Sequence, residues 1–198
     1  MATLTRRRGN LDIVATARRE PVVPSSLLGM LLFIASEAMF FAGLISAFTI
    51  VRSGAPVWPP PGQPRLPIEE TALNTAALLL SGLVLIFARR AFNKDRERAE
   101  WPLLISIGLG GFFVIFQGIE WAALIEEGLT LTSSALGGFF YLIVGIHALH
   151  AIAALALLIR TYVKLKRGWL ASSQLASAEA FWYFVVGLWP ILYLRVYL

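Results

Sequence analysis

Five apolar runs, each long enough to cross a bilayer as a helix, constrain this chain more than any other feature it carries. About 20 helical residues span the roughly 30 Å of hydrocarbon, and such stretches occur at roughly 26–51, 71–88, 102–124, 134–159 and 178–197. Prolines fall between them: Pro21 and Pro24 precede the first run, Pro56, Pro59, Pro60, Pro61, Pro64 and Pro67 precede the second, and Pro102 opens the third. Backbone groups inside hydrocarbon must find their hydrogen bonds within the spanning segment, and a helix does this residue by residue. The fold class that follows is an all-α membrane protein, a bundle of five transmembrane helices. Residues 1–25 read as a basic tail and 26–198 as a single five-helix domain. The composition agrees, with 58% hydrophobic and 15% charged residues against about 45–50% apolar in soluble domains.

Basic residues near the ends of spans resist translocation, so their distribution sets orientation. The tail carries Arg6, Arg7, Arg8, Arg18 and Arg19; the 89–101 segment carries Arg89, Arg90, Lys94, Arg96 and Arg98; the 160–177 segment carries Arg160, Lys164, Lys166 and Arg167. Only Arg52, Arg65 and Arg195 lie on the other side. The expected topology therefore has the N-terminus in the cytoplasm and the C-terminus outside. The apolar run behind the tail exceeds the roughly 7–15 residues of a signal-peptide core, and reads as a retained first helix.

Several function classes fall away. The net charge of +5 is held in short blocks between apolar runs, not on one face with stacking aromatics as nucleic-acid binding requires. There is no cysteine, hence no thiolate metal site, iron–sulfur ligation or thiol catalysis. No phosphate-cradling loop ends in Gly-Lys-Ser/Thr and no Gly-x-Ser-x-Gly occurs.

A charged side chain near mid-span costs at least ~2.5–3.5 kcal/mol, so each needs a reason. Glu37 falls mid-span on the first helix, Asn74 near the outer end of the second, Gln117 and Glu120 toward the outer end of the third, His147 and His150 on the fourth, and Glu179 opens the fifth. Residues at i and i+3 share a helix face, so Gln117 joins Glu120 on one stripe and His147 joins His150 on another, both expected to face protein. Tracing depth along the spans pairs Glu37 with His147, with the carboxyl either neutral or satisfied by that imidazole. Helix-to-helix bonding and proton handling are both open for this set. Copper or zinc held by His147, His150 and Glu37 is chemically conceivable, but two membrane histidines at this spacing are more often hydrogen-bonding core residues, so no metal or cofactor ligand is assigned. Two imidazoles on one face of one helix cannot flank a haem. Small residues spaced for close packing, Ala38 with Ala42, Gly43 with Ala47 and Ala77 with Ser81, mark the first two helices.

The run Ser36-Glu37-Ala38-Met39-Phe40-Phe41 resembles the Ser-Glu-x-Met-Phe-Phe helix of haem-copper oxidase subunit III. Leu73-Asn74-Thr75 with Ser81-Gly82, Phe116-Gln117-Gly118-Ile119-Glu120-Trp121, and Gly145-Ile146-His147-Ala148-Leu149-His150 are similar to three further segments of that family, in its order. The resemblance covers about residues 27–198 and fits the five-helix bacterial version. One segment departs: where the family commonly has Trp-His-Phe-x-Asp-x-x-Trp, this chain has Tyr183 for the His and Val186 for the Asp, between Trp182 and Trp189.

The resemblance implies an accessory subunit of an oxygen reductase in aerobic respiration, in a bacterial cytoplasmic membrane. It implies no catalytic residue and no redox centre on this chain, with haem and copper in a partner catalytic subunit I. It also implies bound phospholipid, contact with other respiratory subunits, and a role in sustained proton uptake. Glu37, Gln117, Glu120, His147 and His150 take the positions of the family's polar core. A nitric oxide reductase accessory subunit shares the helix set, and an independent proton or ion transporter using Glu37 and the histidines is a third reading. Pro190 inside the last span predicts a kink.

Overall fold

The computed structural model describes residues 3–7, 10–14 and 24–198. Five helices form the bundle: α1 Ser25–Gly54, α2 Ile68–Lys94, α3 Glu100–Glu126, α4 Ala135–Lys166 and α5 Ser172–Leu192. All five are long and apolar enough to cross a membrane. Within the segment read as a basic tail, β1 (Thr3–Arg7) pairs antiparallel with β2 (Asn10–Val14). Much of the 1–25 tail, including Arg8, Arg18 and Arg19, lies outside the described residues.

The helices run past the apolar stretches that mark them. The second was expected over roughly 71–88 and extends over Ile68–Lys94; the fourth, expected to end near 159, continues to Lys166. Charged residues mark where the hydrocarbon ends, not where helical bonding ends. Their placement even favours extension: Glu69 and Glu70 sit in the first turn of α2 and Lys94 in its last, while Lys164 and Lys166 close α4, each matched to the helix dipole. Ser134 caps α4 by accepting a hydrogen bond from Gly137 N at 3.1 Å. Pro190 does not stop α5, which continues to Leu192 and passes into a π-helical segment, Tyr193–Tyr197. A proline removes one donor from the ladder, and the change of hydrogen-bond register follows directly after it.

The hairpin of α2 with α3 is the most extensive helix pairing, and α5 packs on α4, α1 and α2. Two tryptophans one heptad apart on α5 fasten it to α2: Trp182 Nε1 donates to Ser81 Oγ at 2.8 Å and Trp189 Nε1 to Thr75 Oγ1 at 2.7 Å. Small residues admit the close approach. A Cβ on Gly110 of α3 would stand 2.5 Å from Trp182 Cη2, and one on Gly82 of α2 would stand 3.0 Å from Val186 Cγ1. Val186, the residue in place of the family Asp, is thus a packing group against Gly82, whereas Tyr183 is exposed on the bundle surface.

Helix α1 is different. Of its 30 residues only Phe41 and Phe48 are buried. Ala77 and Ser81 lie against the bundle, as their spacing suggests, but Ala38, Ala42, Gly43 and Ala47 face away from it and are exposed.

Candidate functional site

The five expected polar residues fall into two clusters with His147 between them. The first joins α1 to α4. Glu37 Oε2 lies 3.1 Å from His150 Nε2, with side-chain exposures of 22% and 15%. This corrects the pairing of Glu37 with His147. Three residues along a helix advance the side chain by about 4.5 Å and turn it by about 60° from its starting direction, which is enough to decide which imidazole meets α1. His147 faces inward instead, stacked on Trp189 at 5.1 Å between ring centroids, and neither of its ring nitrogens has a hydrogen-bond partner.

The tautomer of His150 follows from its other contact. Nδ1 lies 2.8 Å from the Ile146 carbonyl oxygen, which can only accept, so Nδ1 carries a hydrogen. The 3.1 Å contact with Glu37 then needs a single proton, carried either by the carboxyl and donated to Nε2 or by Nε2 and donated to the carboxylate. Phe33, Phe41, Phe181 and Phe184 ring the imidazole at 5.6–6.5 Å between centroids.

Replacing Glu37 by glutamine leaves an amide that donates to the same Nε2, whereas leucine leaves the half-buried nitrogen without a partner. Glu37→Leu is therefore expected to cost about 1–3 kcal/mol and Glu37→Gln less than about 1 kcal/mol, measured as thermal loss of helical circular dichroism in detergent. Equal losses in the two variants would show that the contact contributes nothing.

The second cluster lies between α2, α3 and the end of α5. Gln117 Nε2 lies 2.9 Å from Glu120 Oε2 and 3.1 Å from the Tyr197 hydroxyl oxygen. Asn74 Nδ2 donates to the Phe113 carbonyl at 3.2 Å and faces Gln117 Oε1 at 3.4 Å, while the Thr71 hydroxyl reaches Glu120 Oε2 at 3.0 Å. The i, i+3 stripe of Gln117 and Glu120 therefore faces protein as expected. Sequence reasoning missed Thr71 and Tyr197. Thr71 stands one turn before Thr75 and three residues before Asn74, a polar stripe on α2 legible in advance; Tyr197 gives no such signal.

The clusters do not touch. His147 and Gln117 instead line one cavity of about 120 Å³ with Phe113, Trp121 and Trp189. Among the described residues, no three His, Cys, Asp or Glu side chains are placed to hold a metal ion.

Fold and clusters together define a class: a multi-pass helical membrane protein whose polar side chains join its helices to one another. Residues 14–198 match the family described as cytochrome c oxidase subunit III. The cytochrome c oxidase subunit 3 of Loxodonta africana is 35% identical over 189 residues, covering 89% of this chain and 71% of that protein. Those of Phoca vitulina (34% over 211 residues, 98% and 79%) and Latimeria chalumnae (35% over 188 residues, 89% and 70%) are similar to it in the same way. The chain belongs to the cytochrome c oxidase subunit III family.

Proposed function

We propose that this oxidase subunit stabilises a catalytic subunit I beside it, encloses phospholipid and supports proton uptake in a bacterial cytoplasmic membrane, with haem and copper held by the partner. The observation that carries the reading is the outward face of α1. A helix with two buried residues among 30 contributes little to its own bundle, and its small residues Ala38, Ala42, Gly43 and Ala47 allow another helix to approach closely. Space is open where a Gly43 Cβ would stand. The one-proton pair of Glu37 and His150 lies at the edge of that face, a location suited to proton handling beside a partner. The names of the relatives favour an oxygen reductase over a nitric oxide reductase, and cytochrome c as its donor.

Leucine at Ala42 or Gly43 adds bulk to the outward face without meeting this chain's own core. Each variant is expected to lower co-purification of the catalytic subunit by about tenfold, the factor that 1.4 kcal/mol represents, while the isolated chain keeps its thermal stability. Undiminished co-purification in both variants would place the partner on another face.

Orientation is proposed from the basic residues at one end of the bundle, with the 89–101 and 160–177 segments in the cytoplasm. Cysteines placed there should resist an impermeant thiol reagent in intact cells; labelling there, with protection at 125–133, would invert the topology.

A further inference from the structure

Where α2 begins and α3 ends, the bundle gathers Glu69, Glu70, Glu120, Glu126 and Glu127. Glu69 and Glu70 suit the first turn of α2, the positive end of its dipole. Glu126 and Glu127 are placed against theirs. Glu126 is the last residue of α3 and Glu127 its cap, at the negative end of the dipole, and the last turn holds no basic residue. A local rule broken with no compensation inside the chain directs attention to what lies outside it.

A hollow of about 360 Å³ opens between these two helix ends, with Arg65, Glu70, Asn74, Glu120 and Glu127 in its wall. Two buried acceptors of that wall have no donor. Asn74 is 1% exposed; its Nδ2 is taken by the Phe113 carbonyl and Gln117, while its Oδ1 meets nothing. Thr71 and Gln117 both contact Oε2 of Glu120, which leaves Oε1 buried and unmatched. Arg65 lies in the same wall, yet among the described residues it forms no ion pair, nor do Glu70 and Glu127. The remaining wall is apolar, and Leu73, Phe116 and Ile119 in it are exposed, so the hollow opens on the flank of the bundle that hydrocarbon or a neighbouring helix covers.

We propose that this hollow takes the ammonium of a lysine from a neighbouring subunit of the oxidase, its four-carbon stem lying along Phe116 and Ile119. Lysine buries its stem on apolar surface while its charged end seeks polar groups. An ammonium offers three donors in separate directions, which suits acceptors on two different helices, whereas the planar fork of a guanidinium suits the two oxygens of one group. The lysine cannot come from this chain, whose Lys94, Lys164 and Lys166 all lie at the opposite end of the bundle. A phospholipid ammonium carries its own phosphate close by, which the carboxylates repel. Because the lysine belongs to another subunit, the contact presupposes the complex proposed above and adds to it a second face, distinct from α1.

The test is carbodiimide treatment of the complex purified on this chain in mild detergent. The reagent activates a carboxyl of Glu120 or Glu127, lysine Nζ attacks it, an amide forms and the urea leaves. Mass spectrometry of the digest should find one of these glutamates joined to a lysine of another integral subunit. Glycine ethyl ester, added as a competing amine, should label Glu127 in the isolated chain and not in the complex. Glu127→Gln should raise the thermal midpoint of the isolated chain, by removing a charge from the negative end of α3, and lower retention of the partner by about threefold; a role confined to this chain's own fold would move both the same way. Equal ester labelling of Glu127 in complex and isolated chain, protection without a cross-link, or a cross-link to the ethanolamine of a phospholipid would overturn the lysine contact while the complex stands. Recovery of the chain without any partner would overturn both.

Discussion

Replacing Arg89 by methionine is expected to destabilise the bundle by about 3–5 kcal/mol, the cost of leaving a buried charge without its partner. Arg89 closes α2 onto the start of α5: its Nη2 and Nε lie 2.6 and 2.7 Å from the same oxygen of Glu179, and its Nη1 lies 3.3 Å from the Ser172 hydroxyl. Glu179 has only 7% of its side chain exposed, and its other carboxylate oxygen has no hydrogen-bond partner. Removing the arginine strands that carboxylate; removing both charges does not. The double variant Arg89→Met, Glu179→Leu should therefore recover most of the loss, measured as the thermal midpoint of helical circular dichroism in detergent. A single variant within about 1 kcal/mol of wild type, as exposed pairs show, would mean that water reaches the pair.

Trp182→Ala is expected to cost a similar ~3–5 kcal/mol by a different route, the cavity left when a large core side chain is truncated. Trp182 is fully buried, donates to Ser81 and lies on Gly110, so its removal opens a space against α2 and α3 at once. Trp182→Phe keeps most of the volume and loses the hydrogen bond, and should cost about 1–2 kcal/mol. Resistance to denaturant in mild detergent orders the two; equal losses would assign the stabilisation to the hydrogen bond and not to packing.

The five spans were legible because hydrocarbon thickness is a one-dimensional constraint that a one-dimensional sequence satisfies openly. The family was legible for a related reason: Glu37, Gln117, Glu120, His147 and His150 sit in short local motifs. What could not be read was rotation and tilt between helices. Depth alone assigned Glu37 to His147, and one face of α4 separates that assignment from the observed contact with His150. The outward direction of Ala38, Ala42, Gly43 and Ala47 was hidden for the same reason, since small residues permit close approach without saying to what. Arg89 and Glu179 were each visible in the sequence as a charge at the same end of a span, and comparing those ends would have paired them. Tyr197 reaches Gln117 because α5 continues through Pro190 into a π-helical segment; the proline was visible in the sequence, but the π-helical bonding beyond it was not.

Affinity purification of the tagged chain from its native membrane in mild detergent, with its partners identified by mass spectrometry, decides whether this chain works as part of an oxidase or by itself. A large multi-pass haem-bearing oxidase subunit is expected in near one-to-one ratio with this chain. Recovery of the chain alone, or with partners that include no haem-copper subunit, would contradict that expectation.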